Sequence, residues 1–310
     1  MRIVSLLPSS TEFICALGLE KNLVGVTHEC DYPPTVKQLP KVTRTLIPSD
    51  ISSLEIDRLV REHLKSNRAL YTLDLPLLES LLPDLIVTQA LCDVCAVAEE
   101  EVRDAACRLP GNPRVINLEP QSLRDVFDSL RQIAKIVGLE DKAHQVIQSL
   151  TDRVDTVVDR AVQLQRSPRV AFLEWLDPPF SSGHWNPELV QLAGGIEGLG
   201  RTGHPSRTLD WEQIFAWRPE IVFIACCGFD VERTMQDIPK LWSVPGWLQV
   251  PAVQSGQVYV TDGSQYFNRP GPRLVDSLEI LAHAISPTVH PIPKGVQPAI
   301  RVPSPEYVLR

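Results

Sequence analysis

From Ser122 to Arg166 the chain carries almost no turn chemistry, Gly138 excepted, and this stretch organises what lies on either side of it. Ala143, Val146, Ile147, Leu150, Val154, Val157, Val158, Ala161 and Val162 recur three and four apart with Asp, Arg and Gln between them, the spacing of an amphipathic helix. At 1.5 Å per residue, a helix over 140–166 spans roughly 40 Å, about the height of a domain. Such a helix joins its two neighbours rigidly.

Both neighbours alternate strand and helix. In the first, 3–7 is a short buried-type strand, Ser9-Ser10-Thr11-Glu12 offers hydroxyl N-caps for a helix, and 23–27 is a second strand. That is a βαβ unit within about thirty residues, the building block of a parallel sheet. Helices over 52–65 and 75–82, a buried strand at 85–88, a helix over 98–109 and a strand at 114–117 complete this half. The second half repeats the logic, with strands at 169–175, 220–225 and 257–261 and helices over 187–193, 210–217 and 274–285. The reading is an α/β fold of two Rossmann-like lobes with central sheets, joined by one long rigid backbone helix. Its boundaries are 1–121, 122–166 and 167–286, followed by a proline-rich tail, 287–310, that cannot form a helix and is expected to be extended or disordered.

A chain of 310 residues is long enough for two cores. The net charge of −8, without a basic patch, argues against nucleic acid or an anionic membrane as partner. No apolar run is long enough to span a bilayer. The N-terminus, Met1-Arg-Ile-Val-Ser-Leu-Leu-Pro8, is too short in its apolar run for a secretory leader and reads as a first strand. On that basis the expected compartment is the cytoplasm, with the periplasm open only to a processed form. Seven cysteines without regular spacing make a poor disulfide framework. Cys15 and Cys107 lie on apolar helical faces and are expected in the core.

The unusual residues lie just after predicted strands. Ser9 and Ser10 follow the first, His28 to Tyr32 the second, and Cys92 and Cys95 the third. Trp175 to Trp185, Cys226-Cys227 and Asp262 to Arg269 follow strands of the second half. Ligands of open parallel sheets sit outside the carboxyl ends of the strands, so these six loops are expected to share one crevice between the lobes. The segment 174–204 is the richest, with Trp175, Phe180, Ser182, Gly183, His184, Trp185 and His204. Gly194-Gly195-Ile-Glu-Gly198-Leu-Gly200 follows a helix where a dinucleotide fingerprint must follow a strand, so it is read as a helix stop and turn. Cys92-x-x-Cys95, one of Cys226 and Cys227, and His28 or Cys30 offer thiolate and imidazole ligands for zinc, iron or copper(I), although no second CxxC accompanies the first. Extended backbone cannot point both Cys226 and Cys227 to one side. No nucleophile elbow, phosphate loop or HExxH is present, which makes a binding module, not an enzyme, the expectation.

The order of certain motifs is more specific. Val4-Ser5-Leu6-Leu7-Pro8-Ser9-Ser10-Thr11-Glu12, then Gly25-Val26 to Asp31-Tyr32-Pro33, then Leu82-Pro83-Asp84-Leu85-Ile86 resemble the N-terminal lobe of the cobalamin- and siderophore-binding proteins of ABC importers. Asp177-Pro178-Pro179-Phe180-Ser181-Ser182-Gly183, Trp217-Arg218-Pro219-Glu220-Ile221-Val222, and Tyr266-Phe267 to Pro272-Arg273 resemble their C-terminal lobe, with the cobalamin branch the better match. The resemblance implies two α/β lobes on a rigid helix, little hinge closure, and cobalamin or a related corrinoid clamped by aromatics. It assigns Tyr32 to the clamp, Phe180 to Gly183 to the loop beneath the ligand, and Asp262, Tyr266 and Phe267 to the far wall. Ser9, Ser10, His28, Trp175, His184, Trp185 and Arg269 join that candidate surface by position, with His184 or His28 the imidazole for a cobalt ion. The family's docking carboxylates stand seven residues before a proline of this kind. Glu212 fills that place before Pro219, whereas Pro76 fills it before Pro83. The lost carboxylate and the missing leader argue against ordinary delivery to a permease and for a carrier or sensor.

Overall fold

In a computed structural model of the chain, residues 1–48, 50–66, 70–89 and 99–303 are described. The chain divides into two compact units, one of residues 1–120 and 124–148, the other of 121–123 and 149–310.

The first unit contains β1 (Ile3–Ser5), α1 (Pro8–Ala16), β2 (Leu23–Val26), β3 (Thr43–Thr45), α2 (Ser53–Lys65), β4 (Tyr71–Leu73), α3 (Leu75–Ser80), β5 (Leu85–Gln89), α4 (Glu99–Arg108) and β6 (Arg114–Leu118). Its main sheet is wholly parallel in the order β2-β1-β5-β6. Strands buried on both faces read as continuous apolar runs, which is why Ile3, Val4, Leu85, Ile86 and Val87 are all inaccessible. The small antiparallel sheet of β3 and β4 was not expected, because Thr43-Arg44-Thr45 and Tyr71-Thr72-Leu73 are too short to show a period. The N-cap expectation for Ser9 and Ser10 also fails. Pro8 already occupies the first helical turn, Leu7 is the N-cap, and both hydroxyls are buried inside the helix.

Two helices, α5 (Leu123–Val137) and α6 (Glu140–Ala161), stand where one continuous pattern led into a single backbone helix. Gly138, at φ +72°, ends the first in the left-handed region that a side chain resists. The second stops at Ala161, where Gln163 and Leu164 close a last turn, so it is shorter than the expected 140–166.

The second unit continues with β7 (Arg169–Leu176), β8 (Pro179–Ser181), α7 (Asn186–Leu192), β9 (Ile196–Glu197), α8 (Trp211–Trp217), β10 (Ile221–Ile224), the short α9 (Val231–Met235), α10 (Ile238–Trp242) and α11 (Pro251–Gln254), β11 (Val258–Val260), α12 (Leu274–Ile285) and β12 (Ile300–Arg301). Parallel pairing runs β11-β10-β7-β9, the same first-strand-central order as in the first unit. Antiparallel β8 folds back on the far half of β7, and β12 adds an antiparallel edge to β11. The tail is therefore not loose up to residue 303. Ala299-Ile300-Arg301 lies in a proline-free stretch, able to donate to an edge strand, and Val302 and His290 are buried. Arg153 of α6 is tied to Asp276 and Glu279 of α12 inside this unit.

A repeated local device starts both sheets. Leu82 and Arg218 adopt left-handed backbone after α3 and α8, and Pro83-Asp84 and Pro219-Glu220 follow. The Asp84 carboxylate accepts the backbone N–H of Arg2 at 2.6 Å, and the Glu220 carboxylate that of Arg169 at 3.0 Å. Each carboxylate thus satisfies an orphan donor at the start of the central strand.

Candidate ligand-binding site

Within each unit the singled-out residues do follow parallel strands. Ser9 and Ser10 come after β1, His28 and Tyr32 after β2, Cys226 and Cys227 after β10, and Asp262 to Arg269 after β11. Cys92 and Cys95 lie outside the described residues.

The loop after β8 is built around a carboxylate that sequence reasoning passed over. Glu174 lies in the interior of β7, and its Oε1 accepts the Gly183 N–H at 2.8 Å and the Asn186 amide at 2.7 Å. Glu197, on β9, accepts the N–H groups of Leu199 and Gly200 and the Ser182 hydroxyl. Glu174, buried, and Glu197, half-buried, hold both ends of the 182–200 segment. The signal for Glu174 in the sequence is a charged residue inside an apolar strand, Val170-Ala-Phe-Leu-Glu174-Trp-Leu176, which is tolerated only with hydrogen-bond partners.

Burial pushes the Glu174 carboxyl up to about 7, against the lowering effect of its donors, and raises Glu197 in the same direction. A raised carboxyl pKa means the folded state holds a proton that the unfolded chain releases. Stability therefore falls as pH climbs from about 4.5 to about 7 and is level above. Glu174 contributes on the order of 3 kcal/mol to that slope. Urea unfolding of E174Q across this range is expected to show a flatter profile than wild type; an unchanged slope would remove Glu174 from the account.

His184 is the residue this loop presents. Its backbone sits at φ +50°, fixed by His184 N–H to the His204 carbonyl at 2.6 Å and Gly203 N–H to the His184 carbonyl at 2.9 Å. Its half-buried ring stacks on Trp185 with centroids 5.5 Å apart, and Nδ1 is buried without a partner. Burial lowers its pKa, which keeps the imidazole neutral and competent as a ligand. His204 is exposed, its Nδ1 3.0 Å from the Thr202 carbonyl. Phe180 is half-buried and pairs with Trp175 across β7 and β8.

Several expected contact residues are engaged elsewhere. Trp185 is buried and donates its indole N–H to the Phe267 carbonyl at 2.8 Å. Phe267 is fully buried against Phe172 and Phe223, with centroids 5.3 and 5.2 Å away. Trp175 packs on Phe229 at 4.7 Å and donates to the Asp177 carbonyl. These rings are core because the strands and turn carrying them are pleated inward, which loop position alone does not reveal. Ser182 and Arg269 are buried, with Arg269 3.4 Å from the Ser264 hydroxyl, and Asp262 caps the turn 263–267 by accepting twice from Gln265. Tyr266 remains half-exposed, the Arg273 guanidinium 5.5 Å from its ring. Ser9 and Ser10 are buried too; the Ser10 hydroxyl bonds Ser5 and the Leu7 carbonyl.

In the first unit, Tyr32 is 44% exposed. His28 is half-buried beside Glu29 and Tyr71, the latter a residue of β4 that nothing in the sequence singled out. Of the cysteine ligands, Cys226 is fully buried beside Thr234 with its thiol pushed up to about 12 by burial, so it cannot serve as an accessible thiolate. Cys227, its neighbour in the turn beyond β10, is exposed, and Cys107 is exposed instead of core. Among the described residues no three His, Cys, Asp or Glu side chains converge on a metal position.

Residues 3–264 match the family model of the periplasmic binding protein. The chain belongs to that family. An ABC transporter substrate-binding lipoprotein of Bacillus subtilis, YvrC, is 26% identical over 293 residues, covering 92% of this chain and 80% of the relative. The vitamin B12-binding protein of Vibrio cholerae is 22% identical over 282 residues, covering 90% and 86%. A periplasmic heme-binding protein of Pseudomonas aeruginosa superposes with a TM-score of 0.73 at 20% identity, over 97% of this chain and 99% of that one; this is a likeness of fold. The two-lobed α/β architecture on a helical backbone is that of the family, and the chain is a binding protein and not an enzyme.

The expected cytoplasmic location is overturned. The family model and these relatives, a lipoprotein and a periplasmic protein among them, point to a periplasmic, secreted member. That expectation rested on the apolar N-terminal run, which forms β1 and carries no information about export.

Proposed function

We propose that this periplasmic binding protein carries a large planar metal chelate, a corrinoid of the cobalamin type, for an ABC importer. Relatives named for vitamin B12 and for heme both take a flat ring around one metal ion. Flat ligands reward rigid aromatic faces, which lose little entropy on binding. The observation that carries the reading is His184, held in left-handed backbone on the Pro-Pro-Phe-Ser-Ser-Gly loop and stacked on Trp185. Tyr32 and Tyr266, beyond strand ends, and Phe180, on β8, supply further accessible ring surface. Glu212, exposed in the first turn of α8, is the carboxylate for the permease, with Pro76 in the matching place of α3.

The test is an absorption titration with aquocobalamin, cobinamide and hemin. Cobalamin or cobinamide is expected to bind, and H184A to weaken it at least tenfold, about 1.4 kcal/mol, while shifting the cobalt bands. No change with either corrinoid at tens of micromolar would overturn the proposal. Saturation by hemin alone would replace the corrinoid with a porphyrin.

A further inference from the structure

The tail beyond α12 carries a device that stands apart from the chelate reading. Of residues 286–302, only His290 and Val302 are buried. At the Val302 end the Val302 N–H donates to the Val258 carbonyl at 2.8 Å, the Arg301 guanidinium donates to the Ser255 carbonyl at 2.9 Å, and β12 pairs with β11. At the other end, the Ser286 carbonyl accepts the N–H groups of Val289 and His290 at 3.2 and 2.8 Å. A carbonyl only accepts, so His283 Nδ1 donates to the His290 carbonyl, at 2.8 Å. The backbone of this turn is thereby stapled to the end of α12.

The His290 ring is docked by burial alone. It is 2% exposed, and neither ring nitrogen has a partner among the described residues. A neutral imidazole in such a place leaves one donor and one acceptor unmade; a protonated one leaves two donors and a whole charge, which is far less tolerable. The charged and titratable groups that face it make matters worse. They are Arg160, in the last turn of α6, and His283 of α12, with no carboxylate among them in the described residues. Burial first, then these two neighbours, hold the His290 pKa below its ordinary value of 6.5. A released ring takes up a proton from 6.5 downward and the docked ring does not, so docking is at full strength above 6.5 and is lost as pH falls towards the docked pKa.

We propose that His290 is an acid-sensitive latch, whose neutral ring keeps the segment 286–302 docked on the second unit and whose protonation frees that segment as a strap. Between the two anchors nothing in 291–301 is buried, so little opposes release from spreading to β12, a strand of two exposed residues. Departure of β12 bares the edge of β11, a row of N–H and C=O groups open to pairing with another strand. Glu174 gives the second unit the opposite dependence, greater stability at low pH, so release of the strap is distinct in sign from acid unfolding of the unit.

Hydrogen exchange of the full chain, read by mass spectrometry from pH about 8 to about 5 and corrected for intrinsic rates, tests this. Opening of the 286–302 peptide is expected to stay level above 6.5 and to rise below it by up to about tenfold per pH unit, the limit for one proton. A peptide from β7 should show no such rise. H290F, with a ring that cannot titrate, should keep the tail protected at pH about 8 and give a flat profile. R160Q should shrink the total rise, because the docked ring then accepts a proton at higher pH. H144Q, exposed on α6, should behave as wild type. Circular dichroism checks that each variant is folded. A level wild-type profile, a rise that persists in H290F, or a rise shared by β7 overturns the latch. Should H290F already be open at pH about 8, R160Q decides, and an undiminished rise there overturns it as well.

Discussion

Replacing Phe267 by alanine is expected to lower the unfolding free energy of the second unit by about 3–5 kcal/mol, the cost of emptying a fully buried aromatic site. Phe267 has no accessible surface and lies between Phe172 of β7 and Phe223 of β10, so the vacated volume is walled by the two central strands. Such walls cannot collapse inward without breaking sheet hydrogen bonds. Its carbonyl would still receive the Trp185 indole, and the loop ending at His184 would keep its anchor. Urea unfolding should therefore show the large loss, while corrinoid affinity well below the transition changes little. The opposite pattern, stability kept and affinity lost, would return Phe267 to the ligand surface that its sequence position suggested.

Replacing Gly183 by alanine should have the second large effect, this time on binding. A methyl group there would lie 2.3 Å from the Ser206 nitrogen and 2.8 Å from the Pro205 carbonyl carbon, backbone atoms that cannot swing aside. The 182–186 loop has to move, and the hydrogen bond from Gly183 N–H to the buried Glu174 carboxyl goes with it. Overpacking costs about 1–3 kcal/mol, and an unpaired buried carboxyl oxygen adds a comparable amount. His184 would lose its fixed position, so we expect G183A to abolish measurable corrinoid binding while circular dichroism shows the chain still folded. Wild-type affinity in G183A would show that the loop does not need this close approach.

Much of the fold was legible because strands buried on both faces and amphipathic helices announce themselves by period. Val170 to Leu173, Ile221 to Ile224 and the helix Leu274–Ile285 are found where their apolar spacing puts them. The breaks were harder. Gly138 is the one turn residue in 122–166, yet a helical period on both sides of it hides that α5 and α6 are separate. The edge strand β12 was hidden among prolines, since two residues pairing with Tyr259 and Val260 leave no periodic trace.

The candidate site divides in the same way. Sequence by itself placed the chemistry-bearing residues after parallel strands, as the strand ends at Ser5, Val26, Ile224 and Val260 bear out. Tertiary structure decided which of those residues are reachable. Trp175, Trp185, Phe267 and Cys226 are as aromatic or as soft as any ligand-binding side chain, but their neighbours across the sheet have already claimed them. Glu174, which no loop motif named, holds the loop from inside a strand, and Tyr71 meets His28 and Glu29 only because a hairpin brings residues 42 and 43 positions apart together. Loop membership follows from local periodicity; exposure and partnership depend on which side chains distant parts of the chain bring into contact, and that is set by packing.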